Sequence, residues 1–144
     1  MLVRLMYASR TTADVDHDAL MAILRQCKAN NPPNGVTGLL CHCSSSGIFM
    51  QALEGGRGAV NRLYNLITRD PRHSDVVLLS YDEITERRFG GWSMGQVNMS
   101  RLNPALVLKY SATAELDPNS MSGEMSLALF EELVATASVM GERG

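Results

Sequence analysis

The 144-residue sequence lacks several features that would assign a protein to a class at once. It has no run of 18 consecutive apolar residues and no long apolar stretch at its start, so neither a membrane span nor a secretory signal is predicted. It has no block of Lys or Arg and a formal charge of −2, which removes the electrostatic footprint of a nucleic-acid-binding protein. Its three cysteines are an odd number, which argues against a disulfide framework. We therefore expect a cytoplasmic protein with free thiols and with neither a membrane nor a nucleic-acid partner.

What the sequence does contain is an ordinary globular composition with clear periodic patterns, since 45% of its residues are hydrophobic and 19% are charged. The predicted elements are a strand at 2–8, a helix at 16–31, a hairpin of strands at 36–43 and 48–55, a helix at 57–69, and strands at 76–84 and 92–97. This βαββαββ order predicts an α+β, ferredoxin-like fold with a five-stranded mixed sheet and both helices on one face.

The periodicity lapses after residue 98, where Pro104 and Pro118 separate short segments. From Ser122 onward a helical stripe returns, with Glu124 in its first turn. We expect a folded domain over residues 1–98 and a C-terminal helical extension over 99–144, which packs on the sheet or on another subunit.

Gln51 is the polar residue that most needs an explanation. On a period of two it shares a strand face with Phe49 and Leu53, and an amide buried without a partner costs about 1–3 kcal/mol. Tyr7 ends the first strand on a similarly apolar face, so its hydroxyl and the Gln51 amide form a candidate pair. The pair is either purely structural or one side of a site for a polar ligand.

Two other motifs favour structural interpretations. Cys41, His42 and Cys43 cannot converge on one ion, because alternate strand residues share a face and His42 points the other way, so we expect no metal site. The segment NGVTG at 34–38 lacks the lysine and the spacing of a phosphate-binding loop. Its glycines instead predict a turn and the close approach of a neighbouring backbone.

Two residue pairs later in the sequence admit a ligand-binding role but favour a structural one. Arg72 and His73 could hold a phosphate or a ribityl chain, or could form a solvated turn with Asp70, and the residue types favour the turn. Trp92 and Met94 are two residues apart in the last predicted strand, so we expect them on one face, where such residues more often belong to the core.

Six motifs, taken in order, resemble those of the BLUF family, the flavin-based blue-light sensor domains. They are RLMYAS, KANN, NGVTGLL, FMQALEG, DPRH and RRFGGWSMG, and they cover about residues 2–97. In the tail, LKYS and PNSM further resemble the short PixD-type members of that family.

The resemblance implies a photoreceptor, not an enzyme, that binds a flavin, with FAD preferred to FMN and riboflavin. It implies that Gln51 faces the N5 and O4 edge of the flavin and that light moves an electron and a proton from Tyr7 through Gln51, leaving a red-shifted state. Trp92 and Met94 are implied to lie beside Gln51 and to pass the change to the tail. The implied flavin contacts are Tyr7, Ser9, Ile23, Asn30, Asn31, Gln51, Arg72 and His73.

The resemblance also implies a homo-oligomer that signals to a response-regulator-like or other signalling protein. Two further classes stay open from the residues: a flavin-dependent redox enzyme, and a flavin-free ferredoxin-like interaction module in which Tyr7 and Gln51 are only a buried pair. No substrate acid or base is visible for the enzyme, and a colourless purified protein would favour the module.

Overall fold

A computed structural model describes residues 1–11, 29, 32–43, 47–71, 73–92, 94–98, 103–114 and 116–136. The predicted helix at 16–31 falls outside these residues except for its position 29, and so do the expected flavin contacts Ile23, Asn30, Asn31 and Arg72.

The described elements follow the predicted order. The strands are β1 (Leu2–Thr11), β2 (Thr37–Cys43), β3 (Ile48–Gly56), β4 (His73–Ile84) and β5 (Gly95–Asn98). The α-helices are α1 (Arg57–Arg69), α2 (Pro104–Leu108) and α3 (Gly123–Ala135), and short 3-10 turns cover Pro32–Asn34 and Pro118–Ser120.

Two element boundaries differ from the sequence expectation. The last strand begins at Gly95 rather than at Trp92, and helix α2 starts at Pro104, where a break was expected. Proline is tolerated in the first turn of a helix because its missing N–H has no intrahelical partner there. The side chain of Asn103 caps this turn by accepting a hydrogen bond from the Ala105 N–H.

The five strands form one mixed sheet in the order β4-β1-β3-β2-β5, in which β2 and β5 are parallel and the other pairs are antiparallel. This arrangement confirms the ferredoxin-like α+β prediction. The β1–β3 ladder runs without a register shift from Leu2 opposite Gly56 to Arg10 opposite Ile48, and it places Tyr7 directly opposite Gln51. The pairing of β1 with β4 is irregular by contrast, with register shifts between Met6 and Tyr7 and again between Ala8 and Arg10.

The sheet separates two hydrophobic clusters. The site-face cluster lies under helix α1 and consists of Val3, Leu5, Tyr7, Val36, Leu40, Phe49, Leu53, Val60 and Met94. The tail-face cluster lies under α2 and α3 and consists of Met6, Ala8, Leu39, Cys41, Ile48, Met50, Ala52, Phe89, Trp92, Val97, Val107, Leu129, Phe130 and Leu133. Because side chains alternate along a strand, β1 and β3 contribute to both clusters.

Helix α3 begins where the sequence indicates and packs directly on β4. The Ser122 side chain accepts a hydrogen bond from the Met125 N–H, which satisfies one of the donors left free at a helix start. A Cβ added at Gly123 would lie 2.8 Å from the Leu79 carbonyl oxygen, so glycine permits this close contact. Among the described residues, no helix has both the length and the apolar character required to cross a bilayer.

The glycines of the 34–38 segment serve the roles predicted for them. Gly35 has a φ of 69°, a left-handed conformation that favours glycine. A Cβ at Gly38 would lie 1.9 Å from the Ala52 carbonyl oxygen, so only glycine fits between β2 and β3 here.

Candidate functional site

The Tyr7 hydroxyl and the Gln51 amide form a buried pair at the centre of the site face. The two residues lie opposite each other on β1 and β3, and the Tyr7 hydroxyl donates a hydrogen bond to Gln51 Oε1. Tyr7 is 1% exposed and Gln51 is 3% exposed. The structural pair expected from the sequence is therefore present, in surroundings that make its hydrogen bond energetically important.

Met94 completes a chain of three side chains. Gln51 Nε2 donates to Met94 Sδ across 3.2 Å, and Met94 lies in the site-face cluster. Within the described residues, Gln51 accepts only from Tyr7 and donates only to Met94. A primary amide carries two N–H donors and two acceptor lone pairs, so one donor and one lone pair of Gln51 are not used by these partners. Gln51 is thus equipped to hydrogen-bond a further polar group.

Helix α1 supplies an aromatic neighbour to the pair. The predicted helical stripe places Tyr64 over the sheet, with its ring centroid 5.7 Å from that of Tyr7 and a tilt of 53° between the rings. Such tilted aromatic contacts add to the stability of a cluster beyond area burial. Partial burial raises the pKa of Tyr64 above its ordinary value, so its phenol stays neutral over an even wider pH range.

Trp92 does not lie beside Gln51, and the expectation that it shares a face with Met94 is wrong. Trp92 belongs to the tail-face cluster, whereas Met94 belongs to the site-face cluster. The alternation rule fails here because regular strand structure begins only at Gly95. The Gly38 N–H donates to the Trp92 carbonyl oxygen at 3.1 Å and holds this irregular approach against β2.

The remaining predicted flavin contacts are only partly described. Ser9 is fully buried on β1 opposite Phe49, two residues from Tyr7 and therefore on the same face of the strand. His73 opens strand β4, where its backbone pairs with Thr11. Ile23, Asn30, Asn31 and Arg72 lie outside the described residues, so their roles stay predictions.

A buried ion pair on the opposite face was not anticipated from the sequence. Arg4 Nε donates to Glu54 Oε2 at 2.9 Å, and the two residues are 5% and 0% exposed. They face each other across β1 and β3 in the register that also pairs Tyr7 with Gln51. The available signal was one charge of each sign, Arg4 and Glu54, on largely apolar faces of two strands, a pattern that an inward-facing cross-strand pair explains.

The Cys-His-Cys segment has the geometry predicted for it. Cys41 belongs to the tail-face cluster and Cys43 packs against it. The centroid of the His42 ring lies 6.3 Å from that of the Phe49 ring. Burial raises the pKa of the Cys41 thiol far above its ordinary value, so the thiol stays protonated. Over the described part of the chain, no group of three His, Cys, Asp or Glu side chains could hold a metal ion.

A phenol, an amide and a thioether are thus joined by hydrogen bonds in the interior of a ferredoxin-like sheet, and within the described residues the amide has one donor and one lone pair available for a polar group. The model of one family matches the chain over residues 2–95, and that family is described as sensors of blue-light using FAD. The match covers more than half of the chain, and the protein belongs to the BLUF family of blue-light sensors.

Relatives and solved structures agree with this assignment. The chain is 38% identical over 86 residues to the photoactivated adenylate cyclase subunit beta of Euglena gracilis, an alignment that covers 60% of this chain and 10% of that protein. The chain thus spans about a tenth of the length of the curated relatives it matches. It superposes on the dark-state structure of BlrB, a BLUF protein, with a TM-score of 0.78 and 31% identity, covering 94% of this chain and 96% of that one. The photo-activated state of BlsA gives a TM-score of 0.83 at 28% identity, covering 100% and 99%.

BLUF domains bind a flavin, and the donor set on the site face fits such a group. The edge of an isoalloxazine ring presents acceptors and a donor, and Gln51 has one amide hydrogen and one lone pair available within the described residues. Buried polar groups are normally satisfied, so these valences indicate a polar partner at Gln51.

Proposed function

We propose that the protein is a blue-light photoreceptor in which Tyr7, Gln51 and Met94 form the photochemical relay, and that it is a sensor rather than an enzyme. The observation that carries this proposal is the pair of hydrogen bonds that Gln51 makes in the protein interior, one from the Tyr7 hydroxyl and one to Met94 Sδ. The amide accepts from Tyr7 and donates to Met94, so a change at Tyr7 reaches Met94 through it.

A bound flavin supplies the light absorption and an oxidising excited state. Tyr7 is an oxidisable phenol whose proton already points at Gln51 Oε1. Tyr7 would give an electron and, through Gln51, that proton to the excited flavin and would recover both when the flavin is reoxidised, so the amide oxygen would lose its donor only transiently. Within the described residues the Gln51 amide is held otherwise by one weak N–H to sulfur bond, so it can then rotate or tautomerise and change what it presents to Met94.

FAD is the flavin we propose, in agreement with the description of the family. We assign Ser9 to the wall of the site and Asn30 and Asn31 to the polar edge of the ring. Ile23 packs along the ring in this proposal, and Arg72 and His73 lie toward the ribityl and phosphate end. One neighbouring structure, BlrP1 of Klebsiella pneumoniae, is described with FMN, so the flavin itself has to be determined. Chromatography of the chromophore released from the purified protein identifies it.

The output of the switch passes through the tail in this proposal. Met94 stands just before β5, and α3 packs against the opposite face of the same sheet, so a shift near Met94 reaches the tail through the sheet edge. We propose that a homo-oligomer presents this tail to a response-regulator-like or other signalling protein. Size-exclusion chromatography with light scattering, in darkness and under blue light, tests the assembly.

The decisive experiment is the visible absorption spectrum in darkness, immediately after blue illumination, and during recovery. We expect a flavin spectrum that shifts reversibly to longer wavelength. Tyr7→Phe and Gln51→Leu are each expected to bind flavin without this shift, and a normal photocycle in either variant refutes the relay. A flavin that only bleaches supports a redox enzyme, and a protein that cannot be reconstituted with flavin supports a flavin-free module.

A further inference from the structure

Glu54 holds the backbone of the β4–β5 connection. Its Oε1 accepts hydrogen bonds from the Phe89 N–H at 2.6 Å and from the Arg88 N–H at 3.0 Å, while its Oε2 accepts from Arg4. Glu54 is fully buried, and backbone N–H groups bound to a carboxylate make stronger hydrogen bonds than neutral acceptors allow. One buried side chain therefore fixes two successive residues of an otherwise irregular segment.

The segment held by Glu54 leads directly to the relay. The Trp92 N–H donates to the Phe89 carbonyl oxygen at 3.5 Å, and the Trp92 carbonyl oxygen accepts from Gly38 at 3.1 Å. Two residues later Met94 accepts the hydrogen bond from Gln51. Regular strand pairing starts only after Met94, so the position of its backbone depends on these anchors, which include the Glu54 carboxylate and the hydrogen bonds from Arg87 to Thr37 and Gly35.

The same two residues contact the C-terminal helix with their side chains. The Phe89 ring packs edge-on against Phe130 of α3, with centroids 6.1 Å apart, and Arg88 Nη1 lies 2.6 Å from Glu131 Oε1. Their main chain is bound to the sheet by Glu54, and their side chains are bound to α3. The β4–β5 connection therefore joins Met94, which it precedes along the chain, to helix α3 on the opposite face of the sheet.

We propose that Glu54 is the positioning residue that couples the relay to helix α3. Among the described residues its carboxylate hydrogen-bonds Arg4, Arg88 and Phe89 and neither Gln51 nor Met94, so it acts by holding residues 88 and 89, and a displacement of Met94 is transmitted to α3 instead of being absorbed in the connection. This inference rests on the proposed function, in which Met94 changes its partner after illumination.

A matched pair of double variants separates the acceptor from the charge. Arg4→Met with Glu54→Gln removes the ion pair but keeps an oxygen where Oε1 accepts from both N–H groups. Arg4→Met with Glu54→Met removes the same charges and leaves only a thioether, a much weaker acceptor than an oxygen. Both variants avoid a lone buried charge, which would be strongly destabilising. Glu54→Asp keeps the charge but withdraws the carboxylate by one methylene, and it replaces the Met variant if that variant does not fold.

Hydrogen exchange in darkness, with and without flavin, is the first readout. In the Met variant we expect exchange over residues 86–95 to be about tenfold faster, because the buried Phe89 N–H and the partly buried Arg88 N–H lose their oxygen acceptor, and exchange in α1 to stay within about twofold. The Gln variant keeps an oxygen acceptor but makes weaker, neutral hydrogen bonds, so we expect its exchange over residues 86–95 to lie between the wild type and the Met variant, and its exchange in α1 to stay within about twofold of the wild type. Trp92 is the only tryptophan, so the emission of the flavin-free Met variant should also shift to longer wavelength. Equal exchange in the two variants, or equal acceleration in α1, overturns the inference.

The light response is the second readout and separates the two proposals. In the Met variant we expect the red shift of the flavin to persist while the light-minus-dark difference in the exchange of α3 is lost. A Met variant that keeps the full α3 response overturns the positioning role of Glu54. A wild-type protein without a red shift refutes the proposed function, and the dark exchange of the variant pair then still decides whether Glu54 holds the connection.

Discussion

The hydrogen bond between Tyr7 and Gln51 can be tested without light by a double-mutant cycle on the flavin-free protein. Tyr7→Phe removes the only donor to Gln51 Oε1 among the described residues, in a side chain that is 3% exposed. Leaving a buried acceptor unsatisfied costs about 1–3 kcal/mol. We expect the free energy of unfolding of this variant to fall by that amount relative to the wild type.

The second arm of the cycle removes the acceptor as well. Gln51→Leu replaces the amide with an apolar side chain of similar size. No buried acceptor then loses a hydrogen bond when Tyr7→Phe is added. The cost of Tyr7→Phe in the Gln51→Leu background should therefore be smaller by at least about 1 kcal/mol than in the wild type. Urea unfolding followed by circular dichroism gives all four free energies.

Tyr64→Phe is the matched control for the cycle, because it deletes the same hydroxyl from a ring whose centroid is 5.7 Å from that of Tyr7. Its effect should be the same with and without Gln51→Leu, since within the described residues the Gln51 oxygen accepts from Tyr7 alone. Effects of Tyr7→Phe and Gln51→Leu that add within about 0.5 kcal/mol would refute the direct pair.

Three further predictions test the neighbouring contacts. Gly123→Ala should lower the free energy of unfolding by about 1–3 kcal/mol because the new methyl group meets a carbonyl oxygen of β4, whereas Gly56→Ala, with nothing within 4 Å, is the near-neutral control. Hydrogen bonds from Tyr110, the larger cause, and from Lys109 lower the pKa of Glu132. Because the folded pKa is lowered, this contact stabilises the fold above the ordinary glutamate pKa, and the stabilisation is lost as the pH falls through the lower folded pKa. Acid titration should show this loss in the wild type and not in Glu132→Gln. Met94→Leu, which keeps the volume but removes the sulfur acceptor, should retain flavin and alter the light-minus-dark spectrum, and an unchanged spectrum would exclude Met94 from the relay.

The sheet and the central pair were predictable because local patterns determine them. The alternation in the first strand, the hairpin and the helical stripe of α1 each depend on neighbouring residues, and the structure reproduces them. The buried polar residues Tyr7 and Gln51 were conspicuous on apolar faces and could be paired before any coordinates existed.

Trp92 and Glu54 show where sequence reasoning stopped. The face of Trp92 was predicted wrongly because strand alternation was applied to residues that precede strand β5. The backbone path of these residues depends on hydrogen bonds from distant positions such as Gly38. Glu54 was overlooked for a related reason, since its partners are backbone amides 34 and 35 residues away, which carry no sequence signature. Contacts of this kind depend on tertiary structure that local patterns do not encode.

The uneven pairing of β1 has a consequence for how this domain can change over evolution or in the laboratory. Every register shift of β1 falls on the side of the outer strand β4, while the ladder to β3 is continuous past Tyr7 and Gln51. Bulges absorb single inserted residues. Single-residue insertions or deletions in β4 away from its contact with α3 can therefore be accommodated at the sheet margin without changing the alignment of Tyr7 with Gln51.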